Sequence, residues 1–168
     1  LLIVGLAPGL HGANRTGRPF TGDHAGILLY QSLYGFGLAE RPESVSADDG
    51  LRLKGCRITN AVKCLPPHNK PLPAEIATCN VYLKRELQAL ARGAVVLALG
   101  VIAHAAVLKA LGLKASAHRF RHGAHHRLPE DRHLLDSYHC SRYNTQTGRL
   151  TPPMFRAVLK KARALIDA

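Results

Sequence analysis

Apolar and polar positions along the chain fall into two alternating patterns. Four segments, LLIVGLAP (1–8), CRITNAV (56–62), AVVLALG (94–100) and HLLDSYH (133–139), are rich enough in Val, Ile and Leu to read as buried strands. Between them the apolar residues return at helical spacing, in HAGILLYQSLYGFGLA (24–39), AEIATCNVYLKRELQALA (74–91), VIAHAAVLKALG (101–112) and PPMFRAVLKKARALIDA (152–168). The boundaries carry suitable punctuation: Asp23 stands where a helix N-cap belongs, Gly35 and Gly37 where that helix ends, and Pro73 before a first turn holding Glu75. Strand and helix in alternation predict one α/β domain with a central, mostly parallel four-stranded sheet. ERPESVSADDG (40–50) reads as a surface loop.

In such a sheet ligands gather beyond the carboxyl ends of the strands. Three loops leave predicted strands there: residues 9–23, 63–73 and 140–151. The first, GLHGANRTGRPFTGD, is glycine-rich, basic and poor in apolar residues, and unstructured loops of that length tend to be functional. The whole chain points the same way. Lys and Arg outnumber Asp and Glu by 23 to 11, for a formal charge of +12. That excess favours a polyanionic partner, although solubility alone would also explain it. The longest apolar run, AVVLALGVIA (94–103), is too short to cross a bilayer. No secretory signal is visible, and a strand starting at Leu1 reads as a chain trimmed ahead of its first element.

Taken singly, the polar residues of these loops are ambiguous. Asp23 is the acid nearest the end of the first strand, and it serves equally well as a helix cap. Phe20, between Arg18 and Thr21 on a glycine loop, could stack on a base or merely be an isolated exposed aromatic. Asn60 lies inside an apolar strand, where its amide must find partners on neighbouring backbone or on a ligand edge of paired donor and acceptor. In SYHCSRYNTQTGRLT (137–151), His139 precedes hydroxyls, amides and arginines suited to phosphate, or to an Asx-rich turn.

Taken together, GLAPG with HGANRTGRPFTGD, TNAVKC and SYHCSRYNTQTGRLT resemble the uracil-DNA glycosylase superfamily, and most closely its family 5, the type-b enzymes. The resemblance runs over nearly the whole chain and implies a three-layer α/β/α fold. It implies a monofunctional DNA-repair glycosylase that flips uracil, and other deaminated bases such as hypoxanthine, out of DNA and hydrolyses the N-glycosidic bond to leave an abasic site. Asp23 then positions water or steadies the cationic sugar, and His139 donates a hydrogen bond to the departing base. Gly5, Ala7, Pro8 and Gly9 form the base-binding turn, Phe20 stacks on the base and Asn60 reads its edge. Other branches carry a polar catalytic residue in the GxxPG turn, where this chain has Leu6 and Ala7. Either Asp23 takes that role or the bond breaks dissociatively with little help from a base. Arg15, Arg18, Ser141, Arg142, Asn144 and Arg149 are expected on DNA, with Ser141, Arg142 and Asn144 contacting phosphate and one of these three wedging into the vacated stack. The family's His-Pro-Ser reads His139-Cys140-Ser141 here, which removes a pre-set turn.

Cys56, Cys64, Cys79 and Cys140 could all be core thiols. The resemblance instead makes Cys64 and Cys79 two ligands of a [4Fe–4S] cluster whose other two lie upstream of residue 1. His118, His122, His125 and His126 lack strict ligand spacing and read as a basic DNA-facing loop rather than a zinc site. A monomer acting on single- and double-stranded DNA in a bacterial or archaeal cytoplasm is expected. Two rivals stand beside it: an inactive DNA-binding member of the fold, and a Rossmann-like enzyme of small phosphorylated substrates, although the glycines lack the dinucleotide fingerprint.

Overall fold

The computed structural model describes residues 1–168. Five strands build the sheet: β1 (Leu2–Gly5), β2 (Arg57–Asn60), β3 (Val95–Leu99), β4 (His125–Arg127) and β5 (His133–Ser137), in the order β2-β1-β3-β5-β4. β1 pairs in parallel with β2 and β3, and β3 with β5. β4 runs antiparallel to β5 at the edge, so the sheet has one strand more than the four expected. Its sequence, His-His-Arg, is short and wholly polar, so neither apolar run nor alternation announces it.

Strand side chains alternate between two cores, as the pleat requires. Ile3, Val95, Leu97, Leu99 and Leu135 face one side and meet Leu29, Leu33, Phe155 and Leu159. These come from α2 (His24–Gly35) and α6 (Pro152–Ile166). Leu2, Val4, Val96, Ala98 and Leu134 face the other and meet Leu83, Leu87, Ala103 and Val107. Those belong to α3 (Pro73–Gln88) and α4 (Val101–Ala110). The result is the three-layer α/β/α arrangement, with two short helices in loops, α1 (Ala13–Thr16) and α5 (Arg142–Gln146). No helix is long and apolar enough to cross a membrane.

The segment 40–50 does not hang free. Glu40 donates its backbone N–H to Arg52, a bridge joins Ala39 to Leu53, and Asp49 collects four donors.

The four histidines do not converge on one point. His118 Nδ1 faces the Lys114 carbonyl, His122 Nδ1 accepts from the Tyr138 N–H, and His125 pairs with His133. His126 alone reaches Asp136, at 2.9 Å, beside His104 at 2.7 Å. His104 faces an acceptor on each ring nitrogen, the Asp136 carboxylate and the His118 carbonyl, so both nitrogens carry protons. Burial opposes that charge, but Asp136 and the His118 carbonyl outweigh it and raise the imidazole's pKa. The cluster is a buried ion pair that ties the 118–126 loop to α4 and β5.

Candidate active site

β1, β2, β3 and β5 all deliver their carboxyl ends to one edge of the sheet, so residues distant in sequence meet there. A cavity of about 390 Å³ opens at that edge, within the size range of small-molecule sites. Leu6, Ala7, Pro8 and Gly9 bring the exit of β1; Phe20 and Asp23 come from the glycine loop; Asn60 ends β2; and His139 and Ser141 follow β5. Gly5 lies behind this wall rather than on it. A Cβ there would fall 2.5 Å from Asn60 Oδ1 and 2.7 Å from the Phe20 ring, so only glycine lets the two pack together.

Asp23 caps a helix and borders the cavity at once. Its Oδ1 accepts from the Gly26 N–H at 3.1 Å and caps α2. The other oxygen, Oδ2, lies over the β1 exit, so close that a Cβ on Gly12 would come within 2.3 Å of it. One oxygen therefore holds the helix while the other faces Gly9 and Gly12 beside the cavity.

Asn60 is buried, and its Oδ1 has no hydrogen-bond partner. Such an orphan costs roughly 1–3 kcal/mol; the oxygen is enclosed beside Gly5 and the Phe20 ring, while the Asn60 side chain borders the cavity. Phe20 faces His139 with ring centroids 5.8 Å apart and planes tilted by 33°. Burial pushes the His139 imidazole below its ordinary pKa, with the Asp23 charge pulling the other way, so the ring is neutral near pH 7 and holds one donor. The Asn144 side chain donates to the His139 carbonyl at 2.9 Å and steadies the backbone there.

The six residues expected on DNA separate. Arg15 and Arg142 flank one groove beside the cavity, and Asn144 and Arg149 line a second hollow that shares His139. Ser141 lines the cavity itself and caps α5 by accepting from the Asn144 N–H. Arg18 departs from expectation. Its guanidinium turns inward, donating to Asp49, Ser44 and the Ala47 carbonyl, and its side chain is only 20% exposed. Ala13, Ala25 and Asn69 also line the cavity, unmarked in the sequence reading. Asn69 carried one signal, since asparagine tolerates the left-handed backbone it adopts at φ 57°.

Cys140 is fully buried in the core, and burial pushes its thiol far up, so it is neither nucleophile nor ligand. Cys64 is exposed and Cys79 half-buried, its sulfur accepting from the Lys63 N–H at 3.4 Å. A [4Fe–4S] cluster takes four thiolates. The thiols at this corner supply half of such a donor set, not a complete one.

A mostly parallel α/β/α sheet with a small-molecule-sized cavity at its strand ends is the class that fold and site define. A family model described as "Uracil DNA glycosylase superfamily" matches residues 1–163, and the chain belongs to that family. Its relatives narrow the branch. It is 56% identical over 165 residues to the type-5 uracil-DNA glycosylase of Thermus thermophilus, covering 98% of this chain and 75% of the relative. The type-5 enzyme of Pyrobaculum aerophilum is 46% identical over 164 residues, at 98% and 71% coverage. The crystal structure of Pedobacter heparinus SMUG2 shares the fold with a TM-score of 0.56 at 14% identity, over 99% of this chain and 74% of that one.

Proposed function

We propose that the chain excises uracil from DNA as a monofunctional glycosylase and leaves an abasic site. The observation that carries the site assignment is that Asn60, whose buried Oδ1 has no partner, borders one cavity together with Phe20, Asp23 and His139. Uracil presents an N3–H donor beside a C4 carbonyl acceptor. Asn60 offers Oδ1 to the first and its amide N–H to the second. Cytosine presents an acceptor beside an amino group, so it would set acceptor against acceptor and donor against donor. Phe20 stacks on the extruded ring.

As the C1′–N1 bond breaks, its electron pair leaves with the base and charge builds on the uracil O2 oxygen. Neutral His139 donates there, and backbone N–H groups beyond Pro8 add to the same electrostatic hole. The sugar becomes oxocarbenium-like. Asp23 Oδ2 steadies that cation and orients the water that adds to C1′, and the proton released passes to Asp23 or to solvent. Because the sugar carbon is already cationic, it needs orientation of water more than strong deprotonation.

Arg15, Arg142 and Arg149 are proposed as phosphate contacts, which would make binding fall steeply with salt. Hypoxanthine and other deaminated bases, and single- as well as double-stranded DNA, belong to the proposal. So do a monomeric state and Cys64 and Cys79 as two of four cluster thiolates.

Release of free uracil from a labelled U·G duplex, leaving an alkali-labile product, is the test. Wild type should release it and Asp23→Asn should slow release at least about 100-fold, the scale of losing a positioned polar group, with duplex affinity nearly unchanged. An Asp23→Asn rate equal to wild type would reduce Asp23 to a helix cap, since Asn keeps the cap.

A further inference from the structure

Phe20 stands in a conformation that its sequence does not favour. At φ 56° it is in the left-handed region, which bulky non-glycine side chains rarely adopt and which strains the backbone. Its carbonyl lies where a Cβ on residue 26 would be, 1.8 Å away, so Gly26 is needed for that turn to close on α2. Strain of this kind persists only where the surroundings over-determine the backbone. Here each neighbour is tied down. Tyr30 donates its hydroxyl to the Pro19 carbonyl at 2.7 Å, and Thr21 pairs its hydroxyl with Ser44 at 2.6 Å. Arg18 reaches across to the 40–50 segment, donating to Asp49 at 2.7 Å, Ser44 at 3.0 Å and the Ala47 carbonyl at 2.8 Å.

Asp49 is the hub of that segment. It accepts from the backbone N–H groups of Leu51 and Val45 at 2.8 Å each, and from Ser46 at 3.3 Å, as well as from Arg18. Partial burial opposes its charge. The Leu51 N–H, the Arg18 guanidinium and the Val45 and Ser46 N–H groups outweigh burial and hold its carboxyl well below the usual carboxylate range. None of these partners touches the cavity.

We infer that Asp49, acting through Arg18, is a positioning residue that holds Phe20 in its base-stacking pose. This rests on the reading of Phe20 given under Proposed function. A surface acid some thirty residues from the glycine loop thereby becomes part of how the enzyme receives an extruded base.

The test is a double-mutant cycle on the full chain, read as single-turnover uracil excision at saturating enzyme, beside affinity for a duplex carrying an abasic analogue. Phe20→Ala should slow excision by roughly 5- to 100-fold, the range one base–aromatic stack supplies. Asp49→Ala should reproduce most of that loss while binding the abasic duplex as wild type does, since no base is present to stack. In the Phe20→Ala background Asp49→Ala should add no further loss, a non-additivity that general destabilisation would not produce. Arg18→Met, which keeps the stem and removes the fork, should match Asp49→Ala and serves if that variant folds poorly. An Asp49→Ala or Arg18→Met rate equal to wild type, or equal losses with and without Phe20, overturns the inference alone. A Phe20→Ala rate equal to wild type overturns the stacking reading and this inference with it.

Discussion

At Asn60 the chain leaves a buried carbonyl oxygen without a donor, and a buried orphan in a native protein calls for a reason. The proposed pairing with an incoming N3–H would supply one. Replacing Asn60 with Asp keeps shape but removes the amide N–H and adds charge facing the C4 carbonyl. Uracil excision by Asn60→Asp should fall at least about 100-fold, while affinity for an abasic duplex stays near wild type, because a site built to pair a polar group discriminates through what it leaves unpaired. Gly12 makes a second case. A methyl there would press on Asp23 Oδ2, so Gly12→Ala should slow excision without weakening abasic-duplex binding. The sequence made Asn60 and Asp23 suspicious, because a strand amide and an acid after a strand are unusual. It could not show that Gly5 separates Asn60 from Phe20, or that Gly12 lies under Asp23. Those contacts join residues far apart in the chain and depend on three-dimensional packing.

At the level of elements, the α2 cap separates the structural part of Asp23 from the chemical part proposed for it. Asn caps a helix about as well as Asp, whereas Ala does not. Asp23→Asn should therefore unfold near the wild-type temperature and still be slow in excision, while Asp23→Ala should lose about 0.5–2 kcal/mol of stability as well. Thermal unfolding beside single-turnover rates separates the two contributions; an Asn variant as unstable as the Ala variant would assign Asp23 a larger structural part. The parallel strands were legible because strands buried on both faces must be apolar throughout. β4 was not, since an edge strand of three residues buries too little to mark its sequence. The end of α2, by contrast, was legible from the two glycines placed there. It stops at Gly35, and Leu38 and Ala39 are buried after the chain has turned toward Leu53. The 40–50 segment is the surface loop its sequence suggests; what the sequence could not show is that Asp49 there gathers the Arg18 guanidinium and three backbone N–H groups.

Across the whole molecule, the histidines divide by the sign of their shifts, and this sets a pH optimum for stability. His104 has its pKa raised above the ordinary 6.5 by Asp136 and the His118 carbonyl, against burial. Its contribution is complete below pH 6.5 and is lost as pH rises through the raised value. His139, His122 and His125 lie on the other side, each lowered chiefly by burial, with Lys161 adding to the effect on the last two. Below pH 6.5 the unfolded chain binds protons at these three that the folded chain resists, so each costs stability as pH falls. The two trends oppose each other, so the unfolding temperature should fall on the acid side as these three imidazoles and the half-buried Leu1 ammonium resist protons, and on the alkaline side as His104 loses its own. His104→Gln should flatten the alkaline decline while leaving the acid one, although the variant is less stable at every pH because it leaves Asp136 without its cation. An alkaline decline of unchanged slope in that variant would show that the His104–Asp136 pair does not carry it. The pair anchors β5 three residues before His139, so its loss would also loosen the strand that delivers the base-facing imidazole.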